Sequence, residues 1–186
     1  MNPLLLVDSY KIHHTSMYPE GMTRLYSNFT PRNSRIEGIN EVVVFGLQHF
    51  IKEYLIKQFN EDFFGGIRGE RLKSLSFKNK VIAEYKRHCP VDTKHIEDLW
   101  ELGYLPIEIK ALDEGTLCPI GVPMLTITNT HPNFAWLVNY LETLISCSLW
   151  QAITSATKSY DFKKILIKYA LETTGNVEGV QWQGHD

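Results

Sequence analysis

The spacing of apolar positions changes several times along the chain, and each change predicts an element. After the apolar start "MNPLLLV", Asp8 or Ser9 can cap a short helix from about Tyr10 to Tyr18, which "PEG" then stops. "TRLYSNF" (23–29) sets Leu25 and Tyr26 among small polar residues and predicts a strand, and "TPRNSRIEGIN" is loop. From Glu41 to Phe59, Val43, Leu47, Phe50, Ile51, Tyr54 and Leu55 fall on one face of an amphipathic helix. "NEDFFGGIRGER" breaks that helix. Two more follow at about 70–88 and 93–102, the second closed by Gly103.

The period then shortens to two. "YLPIEIKALDEGTLCPIGVPMLTITNT" (104–130) alternates Ile107, Ile109 and Ala111 and turns at "DEG" and "PIG", which predicts a small antiparallel meander. Asn133 opens a long helix, "FAWLVNYLETLISCSLW", and "TSATKSYDFKKILIKYALE" forms a second one ended at Gly175. Both mix apolar and polar residues throughout, as helices packed on several sides do. The tail "NVEGVQWQGHD" resumes a strand-like alternation that stops at Asp186 without a close, so a continuation of the natural sequence is expected. Together these elements predict an α+β fold, a small antiparallel sheet with packed helices.

Composition narrows the function classes. Hydrophobic residues make up 44% and charged residues 22%, enough apolar material for a core. A net charge of −2 gives no global pull toward nucleic acid or an anionic membrane. Cys89, Cys118 and Cys147 form no CxxC pair and no zinc spacing, which predicts reduced thiols in an intracellular protein. The apolar start is too short for a signal peptide, and "VVVFGL" (42–47) is the longest apolar stretch, so no membrane span and a cytoplasmic location are expected.

Several local patterns carry little chemistry. "FFGGIRGE" (63–70) lacks the GK[ST] ending and preceding apolar strand of a phosphate loop and is better explained as a flexible turn. Seven basic residues against two acids lie between Arg68 and Arg87, but Asp92, Glu97, Asp98 and Glu101 follow directly. That balance predicts a solvated helix face rather than a nucleic-acid surface. His13 and His14, adjacent on a helix, point about 100° apart and cannot share a metal. Asp8 as a helix cap, Tyr10 as a partly buried aromatic and Arg32 as a surface charge are all ordinary readings.

Taken in order, "LLLVDSYKIHHTSMYPEG", "LYSNFTPR", "VVFGLQHFIKEYL", "LPIEIKALDEGTLCPIGVPMLTITNT", "WLVNYLETLI" and "SATKSYDFKKILIKYALETTGN" resemble the N-terminal part of nicotinamide phosphoribosyltransferases. The resemblance covers nearly the whole chain and is weakest at about 60–95. "DSYK" is also similar to nicotinate phosphoribosyltransferases, but the meander and "LETTGN…HD" favour the nicotinamide enzyme.

The resemblance implies an enzyme that moves ribose 5-phosphate from phosphoribosyl pyrophosphate onto nicotinamide, giving nicotinamide mononucleotide and pyrophosphate for NAD salvage. It implies a homodimer with shared active sites, in which the pyridine is clamped between two aromatic rings. One ring is the "DSYK" tyrosine of the neighbouring subunit, which assigns Tyr10 as a stacking residue with Asp8 beside it. The "F-x-x-R" arginine meets the donor phosphates, which assigns Arg32. Trp182 and His185 match positions near a ligand tunnel. Magnesium accompanies the donor pyrophosphate, and ATP use belongs to the family. In the family "HD" runs on into "FGYRG" and then the α/β barrel of a type II phosphoribosyltransferase. Residues 1–186 are thus expected to hold the meander (about 104–130) and connecting helices (about 133–174) without a complete barrel. They are expected to contain no catalytic residue and to be inactive alone, paired with a complementing C-terminal barrel half. The alternatives are a non-catalytic binding or regulatory module that associates with a complete phosphoribosyltransferase, or part of a nicotinate enzyme.

Overall fold

A computed structural model describes residues 1–67, 70–71 and 74–184. A 3-10 turn at Pro3–Leu5 and a 3-10 helix at Ser9–Ser16 precede the first strand, β1 (Tyr26–Phe29). β2 (Glu41–Val43) leads into α1 (Leu47–Phe50), which continues without a break as a π-helical segment, Ile51–Phe63. The short β3 (Gly66–Ile67) and β4 (Glu70–Arg71) form an antiparallel pair, followed by α2 (Leu75–His88) and α3 (Lys94–Leu102). Then come β5 (Ile107–Ala111), β6 (Leu117–Pro119), β7 (Leu125–Asn129), a 3-10 turn, α4 (Trp136–Tyr140) and α5 (Glu142–Thr174). The architecture is α+β with small antiparallel sheets.

The principal sheet has the order β1-β7-β5. β7 is central, pairing Ser27 with Ile127 on one side and Ile109 with Ile127 on the other. Its alternate residues Leu125, Ile127 and Asn129 are buried. Asn129 is the polar member, and its carboxamide is satisfied: Nδ2 donates to the Thr23 and His131 carbonyls at 2.8 and 3.0 Å, and Oδ1 accepts the Leu25 amide at 2.9 Å. That side chain fixes where the chain enters β1.

The stretch 104–130 therefore contains three strands, but it is not a simple meander. β6 leaves to pair with β2, Val42 opposite Cys118, while β5 and β7 pair directly. Residues 41–59 are likewise not one helix. Glu41–Val43 is a strand because its β-branched run finds the β6 edge. Gly46, at φ 91°, then turns the chain into α1. A Cβ there would come 2.9 Å from that of Ala152, so the turn lies against α5 with no room for a side chain.

In place of the helix expected to open at Asn133 and the second expected over 154–172 stand the short α4 and a single 33-residue helix, α5, with Gly175 in the left-handed region at its end. Its buried residues stop at Thr157, whose hydroxyl donates to the Ile153 carbonyl and accepts the Val43 amide, tying α5 to β2. Beyond that point Phe162, Ile165 and Tyr169 are exposed, so packing on several sides holds only for the first half. The tail is not a strand: residues 178–182 are turns, held to α5 by the Lys163 ammonium on the Val180 and Gln181 carbonyls.

Between the sheet and the helices lies one aromatic-rich core that includes Phe50, Phe59, Phe63, Phe64, Tyr85, Leu99 and Trp100. Two basic positions of α2 find partners on α3: Lys78 reaches Glu101 at 2.7 Å and Lys86 reaches Glu97 at 4.0 Å. Arg68 and Lys73 of the basic stretch lie outside the described residues. No helix among the described residues is long and apolar enough to cross a membrane.

Candidate functional site

The segment from Leu4 to Lys11 is held by side chains from a short stretch around the α4–α5 junction. The Tyr140 hydroxyl donates to the Leu4 carbonyl at 2.7 Å. With its only proton used there, it accepts from Tyr85 at 3.0 Å. Burial pushes the Tyr85 phenol up to about 12, and burial together with Tyr85 raises that of Tyr140 further.

Four residues on, Asp8 precedes the Ser9–Ser16 helix in extended conformation, but its carboxylate makes no capping bond to that helix. It turns outward to α5, where Oδ2 accepts the Thr143 hydroxyl at 2.6 Å, and the Asp8 amide donates to the same hydroxyl oxygen at 3.2 Å. The sequence expectation of a cap is corrected on this point. Thr143 competes successfully for the carboxylate and joins the helix start to the body of the molecule.

Lys11 is the buried member of the motif, only 5% exposed. Its ammonium donates to Glu142 Oε2 at 2.8 Å and to the Asn139 carbonyl at 3.1 Å. The other oxygen, Glu142 Oε1, accepts the Ser27 hydroxyl of β1 at 2.5 Å. One carboxylate thus binds the short helix and the strand that leads to Arg32.

Tyr10 stands between these two anchors and is 60% exposed. The Lys11 ammonium lies 5.9 Å from its ring centroid, and the His14 ring is 5.4 Å away, tilted by 56°. His14 in turn meets the edge of Tyr18 at 6.2 Å. The result is an open aromatic surface on a tethered helix. A phenol left in solvent while the lysine beside it is buried reverses the usual order of burial for these residue types.

Arg32 is exposed in the loop after β1. Its neighbour Pro31 accepts the Gly121 amide at 2.8 Å, which holds the loop against the turn after β6. Trp182 is 78% exposed on the turn beyond α5, and His185 lies outside the described residues. Among the described residues no hydrogen bond, ion pair or ring contact joins Tyr10 to Arg32 or Trp182. The fold gathers Asp8 and Tyr10 at one short helix, and the Lys11–Glu142–Ser27 chain ties that helix to β1, the strand that leads toward Arg32.

Two concavities among the described residues lie elsewhere. One of about 300 Å³ is lined by Asn40, Glu41, Thr157, Tyr160, Asp161 and Lys164, and another of about 500 Å³ runs along 33–40 beside Ile120. Neither contains an expected site residue. No group of three His, Cys, Asp or Glu side chains that could hold a metal occurs among the described residues.

Lys11, Glu142 and Thr143 were not legible as site residues. The partners are 131 and 135 positions apart, and no local periodicity marks which of many carboxylates a lysine will meet.

Residues 2–64 match the family model described as nicotinamide phosphoribosyltransferase, N-terminal domain. The nicotinamide phosphoribosyltransferase of Acinetobacter baylyi is 42% identical over 198 residues, covering 100% of this chain and 37% of the relative. That of Mycoplasma genitalium is 30% identical over 195 residues, covering 98% and 42%. Among solved structures, human nicotinic acid phosphoribosyltransferase aligns with a TM-score of 0.57 at 18% identity, over 87% of this chain and 28% of that one. At that identity the likeness is one of fold. The chain as a whole matches nicotinamide phosphoribosyltransferases, and it spans about two fifths of the length of these curated relatives.

Proposed function

We propose that this chain forms the nicotinamide-facing part of a cytoplasmic nicotinamide phosphoribosyltransferase that makes nicotinamide mononucleotide and pyrophosphate in NAD salvage. The observation that carries the reading is Tyr10: an aromatic ring 60% exposed on a helix that two polar anchors fix to the body of the protein.

The chemistry asks little of this part beyond binding. Nicotinamide attacks with the lone pair of a ring nitrogen that carries no proton, so no general base is needed there. The new C–N bond forms at the anomeric carbon as the C–O bond to pyrophosphate breaks. A rigid aromatic face suits the electron-poor pyridine and aims its nitrogen at low entropic cost. Arg32 would meet the donor phosphates with its planar fork, and Asp8 keeps the helix start in place. In this reading Tyr10 serves the pocket of a second copy across a two-fold contact, with Trp182 nearer the ligand entrance.

No catalytic residue is assigned within this chain, and catalysis requires a barrel that completes the site. Magnesium would arrive on the donor's own pyrophosphate, where it neutralises charge; the described residues offer it no ligand cluster and no step is assigned to it. ATP use is assigned to the barrel that completes the enzyme.

Ligand-observed NMR tests the reading. Nicotinamide should receive saturation from the wild-type chain and lose it in Tyr10→Ala, while Arg32→Ala leaves it intact and instead weakens phosphoribosyl pyrophosphate binding. Absence of transfer from the wild type, or equal effects of both substitutions on both ligands, contradicts it.

A further inference from the structure

We infer that Lys11 and Glu142 are positioning residues, a charge pair with its lysine end buried, whose task is to set the rotation of the Ser9–Ser16 helix so that Tyr10 faces outward; this rests on the reading of Tyr10 given above. A 3-10 helix of eight residues has little stability of its own. Ile12 packs partly buried against the core, and Lys11 is the helix's single fully buried residue. Something directional must therefore fix which side of it meets the protein.

The contacts of Lys11 supply that direction. Its ammonium has two acceptors, Glu142 Oε2 at 2.8 Å and the Asn139 carbonyl at 3.1 Å, both contributed by the α4–α5 junction. Burying an ammonium is costly, and an apolar side chain of similar length would fill the same space at equal or better stability. An apolar side chain would pack there but would not specify a direction. With position 11 turned inward and Asp8 held by Thr143, the intervening Tyr10 is left outside. The same ammonium, 5.9 Å from the Tyr10 centroid, also restrains the ring.

Glu142 adds a second consequence. Because Oε1 accepts from Ser27, the carboxylate that orients the Tyr10 helix also holds β1, from which the chain passes through Phe29 to Arg32. The supports of the two proposed binding groups, one for the pyridine and one for the donor phosphates, share a single side chain. Displacement of Glu142 should disturb both.

The experiment places a fluorotyrosine at position 10 and records fluorine NMR with and without nicotinamide. The key variant is Lys11→Met/Glu142→Met, which removes the charges and keeps the volume. It should melt within a few degrees of the parent, yet its position-10 resonance should move and its nicotinamide affinity should fall by about tenfold or more. Lys11→Arg, which keeps the cation, should hold the resonance near that of the parent. If the double variant does not fold, Glu142→Gln serves in its place, with a displaced resonance expected. A parent-like resonance in a folded double variant, or in folded Glu142→Gln, overturns the inference. Should nicotinamide leave the parent's resonance unmoved, the pyridine reading of Tyr10 falls; the ligand-free spectra still decide the positioning role.

Discussion

The N-terminal segment carries one tyrosine that faces solvent and rests on another that does not. Tyr140 is 3% exposed, donates to the Leu4 carbonyl and accepts from Tyr85 inside the aromatic core. Tyr10, six residues beyond Leu4, makes no hydrogen bond through its phenol among the described residues and keeps most of its ring in water. The two environments have one origin, the junction at 139–143, which supplies the acceptors and donors for both. The contrast separates what each phenol is for. Tyr140 is placed where its removal would open the core, and Tyr10 where its removal would cost the fold almost nothing.

The largest effect expected is on the buried side. Tyr140→Ala should lower unfolding free energy by about 3–5 kcal/mol, seen in urea denaturation, because a full aromatic side chain and its hydrogen bonds to the Tyr85 hydroxyl and the Leu4 carbonyl disappear together. A loss near zero would mean that the N-terminal segment is not docked on Tyr140. Alkali sharpens the same point. Tyr85 has an ordinary value of 10.0 and is pushed up to about 12 by burial, so folding favours its protonated form. Its contribution is complete below pH 10.0 and is lost as pH rises from there through about 12. The loss is on the order of 2 kcal/mol, and the phenol should ionise together with unfolding in a spectrophotometric titration.

Lys11→Met alone should cost about 1–3 kcal/mol in the same denaturation assay, because Glu142 keeps its charge, loses its cation and retains only Ser27. A cost no greater than that of a surface lysine would show that the pair is not closed in solution. Tyr10→Ala comes last, within about 0.5 kcal/mol of wild type. A penalty comparable to that of Tyr140→Ala would erase the contrast between the two phenols.

Much of the fold was legible where one element decides its own shape. Gly103, at φ 85°, ends α3 as the sequence indicated, and Gly175 ends α5 in the same way. Elements that depend on distant partners were harder to see. Val42 and Val43 extend a helical period on paper, yet their branched side chains and the β6 edge make them a strand. The three strands of 104–130 were visible, but the departure of β6 to another sheet depends on β2, more than 70 residues earlier. Val180 and Trp182 alternate with polar residues like a strand, and among the described residues no strand pairs with them, so that segment folds into turns against Lys163.

The candidate site divides in the same way. Tyr10 and Arg32 were indicated by the motifs that contain them, and both are exposed. What anchors the helix beneath the proposed tyrosine was invisible, since Lys11 looks like any surface lysine until Glu142 is folded beside it. Asp8 shows the converse. Its position suggested a cap, and a threonine 135 residues away redirects it.

The most direct measurement is a crystal structure of the chain with nicotinamide bound. The account predicts the pyridine lying against the Tyr10 ring, centroids about 4.5–7 Å apart, with Lys11 still paired to Glu142 underneath. A pyridine bound away from Tyr10, or a Tyr10 ring turned inward onto its own protomer, would contradict it.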